Sequence, residues 1–209
     1  MSSIDIKTII FDLGGVYFTR GTVLAIEKIK DIYDIKKVEL LHNIFKETPN
    51  SESYLLRRGL MNIDQFEEKL FSKLQINAKE KKHIRHIWFG SYCVHYGMED
   101  LVKKLKEKYR LIIFSGNIKE RIEYLEEKCR FLKYFDDVVF SFDYQKNKGD
   151  LEFYEELIKH LECEPNEAIL IDNEKKNIKI ARSLDFNGIH YYYTEKLIED
   201  LKKFNVNIT

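Results

Sequence analysis

Four short apolar runs punctuate the chain: Thr8–Phe11 (TIIF), Leu111–Phe114 (LIIF), Val138–Phe140 (VVF) and Ala168–Ile171 (AILI). Ile189–Tyr193 (IHYYY) reads as a fifth. The first four are continuously hydrophobic, which predicts strands buried on both faces, as in a parallel sheet covered by helices. Helical spacing of apolar residues fills the intervals, over roughly 98–108, 118–128, 150–162, 175–184 and 195–203. Alternation of this kind predicts an α/β fold with a doubly wound parallel sheet. One stretch departs from it. Between the first strand and Leu111 the pattern is helical alone, over roughly 22–33, 36–47, 52–58, 63–73 and 78–93. The expectation is therefore an α/β core from residues 1–16 and 97–209, with residues 17–96 inserted as a helical cap. Asn117 with Glu120, and Asn62 with Gln65, have the spacing of helix N-caps and their N3 partners.

Composition narrows the function classes. Lys plus Arg and Asp plus Glu are equal at 35 each, so no basic excess points to a nucleic-acid partner. No apolar run approaches the roughly 18–20 residues of a membrane span. MSSIDIKTIIFD lacks the cationic and long apolar regions of a signal peptide. Cys93, Cys129 and Cys163 are odd in number and widely spaced, which predicts neither disulfides nor a zinc site and fits a cytoplasmic protein. KEKKHIRHIW brings His83 and His86 together without further ligands at metal spacing, so it reads as a solvated helix face. Trp88 and Phe89 read as core of the helical insertion.

In an open α/β sheet, ligands bind at the carboxyl ends of the strands. Those ends carry Asp12-Leu13-Gly14-Gly15, Ser115-Gly116-Asn117, the basic loop Lys146-Asn147-Lys148, and Asp172-Asn173-Glu174. A carboxylate can attack phosphorus and form an acyl-phosphate. Glycines let backbone amides approach phosphoryl oxygens, and a hydroxyl can bind them. Lysine offsets the phosphate charge, and Mg²⁺ on oxygen ligands would offset more.

These segments resemble a known family. IIFDLGGVYF is similar to the first motif of haloacid dehalogenase-type (HAD) hydrolases, FSGN to the second, Lys148 in KGDLEFYEEL to the third and EPNEAILIDNEKKN to the fourth. The resemblance spans nearly the whole chain. It is nearest to bacterial sugar-phosphate phosphatases and the phosphatase lobe of soluble epoxide hydrolases, whose cap segment RRGLMNIDQFEEKL also resembles. It implies a HAD-like Rossmannoid core and a phosphatase acting on a small phosphorylated metabolite. Asp12 would be the nucleophile, with Ser115 and Lys148 binding phosphate and Gly14, Gly116 and Asn117 lining the substrate site. Mg²⁺ would lie on Asp12, the Gly14 carbonyl and Asp172 or Asn173, with Asp172 alternatively orienting the lysine. Arg57 and Arg58 fall in the substrate-facing cap segment, with a surface salt bridge expected for at least one.

Three positions depart from the pattern. Gly14 replaces a second Asp, Gly149 replaces a proline and loosens the lysine's loop, and Asn173 replaces a carboxylate. Without an acid at position 14, leaving-group protonation loses a contribution of ~10²–10⁴ in rate, favouring easily expelled groups such as anomeric or acyl phosphates. Asn173 offers Mg²⁺ an uncharged oxygen. The same departures leave two alternatives: a metal-free 2-haloacid dehalogenase, or a catalytically silent HAD-fold binding protein. Oligomeric state is not legible in the sequence.

Overall fold

The computed structural model describes residues 5–36 and 38–208. The chain runs β1 (Thr8–Phe11), α1 (Gly21–Ile32), α2 (Val38–Phe45), α3 (Glu52–Arg57), α4 (Ile63–Leu74), α5 (Lys81–Gly90) and α6 (Met98–Lys106). It continues through β2 (Arg110–Ser115), α7 (Lys119–Cys129), β3 (Asp137–Phe140), α8 (Ser141–Tyr144), α9 (Leu151–Lys159), β4 (Ala168–Asp172), α10 (Lys175–Ser183), β5 (Asn187–His190) and α11 (Thr194–Lys203).

All five strands are parallel, in the order β3-β2-β1-β4-β5. Because side chains alternate along a strand, Ile9, Phe11, Leu111, Ile113, Ile169 and Ile171 face one layer, with Leu101 and Leu105 of α6 and Leu197 and Leu201 of α11. Ile10, Ile112, Phe114 and Leu170 face the other, against Phe153 and Leu157 of α9 and Ile178 and Ala181 of α10. This two-sided burial is what the unbroken apolar runs dictate. β1 lies at the centre, with Phe11 in register with Ile113 on one side and Ile171 on the other. Its neighbours are reached by crossovers in opposite directions, and a crevice opens at their carboxyl ends.

Helices α1–α5 all fall between β1 and α6. An aromatic cluster joins α2, α4 and α5: the Trp88 ring lies 4.9 Å from Phe45, 5.4 Å from Phe66 and 5.2 Å from Phe89. The Asn62–Gln65 capping box is formed on both sides, at 2.9 and 3.1 Å. Glu67, buried on α4, receives both Arg85 Nε and Nη2 at 2.6 Å. His83 and His86 are exposed, as the basic helix face requires.

Three expectations need correction. Asn117 does not cap α7; Ile118 occupies that position, and the Asn117 side chain turns inward. The aromatic run leaves the last strand, because β4 ends at Asp172 and its register partner His190 is the last paired residue. Tyr191 is buried, whereas Tyr192 and Tyr193 are exposed. Helix α9 stops at Lys159, short of residue 162. Helix α8 had no signal in the apolar pattern. The three cysteines are free. Among the described residues, no helix is long and apolar enough to cross a membrane.

Candidate active site

β1 delivers Asp12 to the crevice. The Asp12 backbone N–H donates to the Ile171 carbonyl at 3.0 Å, one step beyond the last ladder pair. The chain then turns back, with Phe18 N–H donating to Leu13 at 2.8 Å and Gly15 N–H to Phe18 at 2.6 Å. That turn calls for the glycine at position 15: its φ is +86°, and a Cβ there would lie 2.6 Å from the Asn173 side-chain amide. Gly14 is under no such constraint, a Cβ meeting only the Tyr92 ring at 3.7 Å.

Ser115, at the end of β2, donates to Asp12 Oδ1 at 3.0 Å. Lys148 Nζ lies 2.9 Å from the same oxygen and 2.7 Å from Asp172 Oδ2. Asp172 also accepts Glu174 N–H at 2.7 Å and both contacts of Asn177 Nδ2, at 3.1 and 3.0 Å. Fully buried, Asp172 has both carboxylate oxygens engaged, by Lys148, Asn177 and the Glu174 N–H. Burial pulls the Lys148 ammonium down, but Asp12 and Asp172 outweigh it and hold its pKa above the ordinary lysine value. Burial pushes Asp12 above the ordinary carboxylate value despite the attraction of Lys148.

The glycine after Lys148 does not leave its loop unrestrained. Asp150 N–H donates to the Asn147 carbonyl at 2.8 Å, and Asn147 N–H donates to Asp150 Oδ2 at 2.7 Å. This reciprocal pair braces the loop across Lys148 and Gly149.

Asn173 packs beside Gly14. With both ends of its amide satisfied, the nitrogen donates to the Gly14 carbonyl at 3.2 Å and the oxygen accepts from Arg20 Nη2 at 3.0 Å. The opposite amide orientation sets its oxygen beside the Gly14 carbonyl, and with Asp12 in the same cavity lining these are oxygen groups of the kind a hard divalent cation takes, with only one formal charge. Among the described residues no cluster of three or more His, Cys, Asp or Glu could hold a metal. The set fits Mg²⁺, therefore, through a carboxylate, a carbonyl and an amide.

The cavity over Asp12 has a volume of about 620 Å³ and is lined by Asp12, Gly14, Gly116, Asn117, Lys148 and Asn173 among others. The structure thus brings the expected residues to one place, Ser115 beneath the surface and Asp172 behind Lys148. The lining also holds residues the sequence did not single out: Arg20 and Asn177 beside the fourth strand end, and Tyr92 and Arg121. Arg57 joins them and is buried rather than on the surface, its Nη1 donating to the Gly116 carbonyl at 2.7 Å. Arg58 is the more exposed of the pair and donates through Nε to the Gln145 carbonyl at 2.5 Å. Arg121 was detectable in principle, as a cation sharing a helix face with Ile118, Ile122 and Leu125.

Known proteins share this architecture. The chain is 29% identical over 215 residues to an uncharacterized protein of Dictyostelium discoideum, covering 97% of this chain and 90% of the relative. It is 26% identical over 187 residues to a sesquiterpene phosphatase of Aspergillus oryzae, covering 88% and 89%. A HAD family enzyme of Bacteroides thetaiotaomicron, solved as an Asp-to-Ala mutant with magnesium and inorganic phosphate, superposes with a TM-score of 0.78 at 19% identity, covering 90% of this chain and 95% of that one. The family model for haloacid dehalogenase-like hydrolases matches residues 9–190, from within β1 to the last residue of β5. With strand order, strand-end chemistry and family match in agreement, the chain belongs to the haloacid dehalogenase-like hydrolases.

Proposed function

We propose that the chain is a Mg²⁺-dependent phosphatase that hydrolyses a small phosphorylated metabolite through an aspartyl-phosphate on Asp12. The observation that carries the reading is the clamp on one carboxylate oxygen. Asp12 Oδ1 accepts from Ser115 and is ion-paired with Lys148, which fixes the rotamer and leaves Oδ2 as the attacking atom. When a phosphoryl group enters, the same two donors lie at hand for its oxygens, and the Gly116–Asn117 segment borders it. Asp172 keeps the ammonium charged and aimed. Asp12, the Gly14 carbonyl and Asn173 would hold Mg²⁺, whose charge offsets that of the phosphoryl oxygens. Water then cleaves the acyl-phosphate. The helical insertion acts as a cap, with Arg57 and Arg58 tying it to the two core loops at Gly116 and Gln145.

No carboxylate stands at position 14 to protonate a leaving group, and the Tyr92 ring fills the neighbouring space. Good substrates therefore expel their leaving groups easily. Acetyl phosphate, glucose 1-phosphate, glucose 6-phosphate and an aryl phosphate, each assayed with Mg²⁺ and with chelator beside Asp12→Asn, test both points. Metal-dependent turnover absent from the variant, and faster on the acyl and anomeric esters, is expected. Turnover of 2-haloacids in chelator, with every ester inert, would replace the reading with a dehalogenase.

A further inference from the structure

A cavity of about 620 Å³ has room for a whole small metabolite beyond its phosphoryl group. Besides Arg20, which Asn173 engages, its wall carries two buried guanidiniums, Arg121 at 1% exposure and Arg57 at 9%. Arg121 spends Nε on Asn117 Oδ1 at 2.8 Å and Nη1 on Tyr92 Oη at 2.7 Å. Among the described residues no carboxylate forms an ion pair with it; Glu47 and Asp12 act on it only from a distance. Burial lowers the Arg121 pKa to about 10, and the charge of Arg57 adds to the effect. Arg57 does have a carboxylate partner, Glu47 Oε1 at 2.9 Å from Nε. The angle is wrong for a hydrogen bond, however, and the buried Nε–H is left without one. Glu47 itself is half exposed.

Two buried positive charges thus share one loosely placed carboxylate. A buried charge without a bonded counter-ion is costly, and an entering anion relieves that cost. Each guanidinium has five N–H donors in a planar fork suited to carboxylate or phosphate oxygens, and scaffolding uses only part of them. We infer that Arg57 and Arg121, with the Tyr92 hydroxyl, form a second anion subsite, so that the preferred ester carries a carboxylate or a further phosphate besides the scissile phosphoryl group. The inference rests on the phosphatase reading for turnover, but binding tests it separately.

Ethyl phosphate, 2-phosphoglycolate and ethane-1,2-diol bisphosphate have similar leaving groups and differ in the second group. The two bis-anionic esters are expected to exceed ethyl phosphate in kcat/KM by roughly 10- to 100-fold, mainly through KM, as fits hydrogen bonds to a charged group. The stronger of the two names the anion. Arg57→Gln and Arg121→Met should each cut that preference by roughly tenfold. If Arg121→Met fails to fold, Arg57→Gln and the wild-type comparison still decide. Equal kcat/KM for all three esters overturns the inference and leaves the phosphatase standing. If no ester is hydrolysed, calorimetry on Asp12→Asn decides: tighter binding of 2-phosphoglycolate than of ethyl phosphate upholds the subsite alone, and equal binding removes it.

Discussion

Lys148 offers the sharpest test of the site's electrostatics. It lies 2.9 Å from Asp12 and 2.7 Å from Asp172, and the three side chains are 10%, 12% and 0% exposed. At such separations, in an effective dielectric near 20, each attraction is worth roughly 6 kcal/mol. Desolvation of the three charges and repulsion between the two carboxylates offset most of it. Lys148→Met keeps the stem and removes the charge, leaving two buried carboxylates with no cation between them. The expected loss is about 3–5 kcal/mol at pH 7, read as a lower urea midpoint at unchanged slope, in chelator so that no metal compensates. The pH dependence is more diagnostic. In the variant, burial and the neighbouring Asp172 charge raise the folded-state pKa of Asp12 further above the ~3.9 of an unfolded aspartate than in the wild type, because the attraction of Lys148 is gone. An acid with a raised folded pKa takes up protons on folding. Stability therefore rises as pH falls from that raised value towards about 3.9, by about 1.4 kcal/mol per unit for each group that titrates. The gap to the wild type should narrow between pH 7 and 5. A deficit under about 1 kcal/mol at pH 7, or one that widens on acidification, would refute this account of the triad.

Three further substitutions probe separate parts of the fold. Asn173→Asp adds a second formal charge beside Asp12 and should tighten Mg²⁺ by about tenfold or more in calorimetry; unchanged affinity would place the cation elsewhere. Gly15→Ala should lose about 1–3 kcal/mol, from positive φ and the 2.6 Å approach to Asn173, whereas Gly149→Ala, with open space around its Cβ, should gain about 0.4–1 kcal/mol. Equal urea midpoints for the two variants would contradict the turn geometry. Glu67→Gln removes the charge and leaves an acceptor for only one of the two 2.6 Å contacts with the partly exposed Arg85, and should lower stability by about 1.5–3 kcal/mol; a change near zero would show that the ion pair adds nothing to the helical insertion.

The sheet was legible because each central strand is an unbroken apolar run, which only burial on both faces accommodates. Asp12, Ser115 and Lys148 were legible for a related reason, since strand order sends their loops to one edge. The rest of the lining was not. Arg57 and Arg121 reach the cavity through helices whose apolar faces look ordinary, and their contacts span 59 and 29 residues of chain, to Gly116 and Tyr92. Local spacing carries no trace of such pairings. Asn117 shows the converse error. Its spacing to Glu120 mimics a capping pair, but Arg121 Nε and Ile118 N–H claim its oxygen. Strand β5 was misplaced because Tyr191–Tyr193 have strong strand propensity, while pairing with β4 stops at His190.

Trp88 is the chain's only tryptophan. Its indole N–H donates to Thr22 Oγ1 at 2.9 Å, Thr22 bonds the Tyr92 hydroxyl at 2.7 Å, and Tyr92 accepts from Arg121. The guanidinium of Arg121 also lies 5.9 Å from the Trp88 ring. The lone indole is therefore buried in the helical insertion yet linked by three hydrogen bonds to the wall of the cavity. Its emission is sensitive to the field of that nearby cation, so an anion arriving at the wall alters the colour and intensity of the protein's own light. The expected consequence is a label-free optical signal of occupancy, which stopped flow would follow.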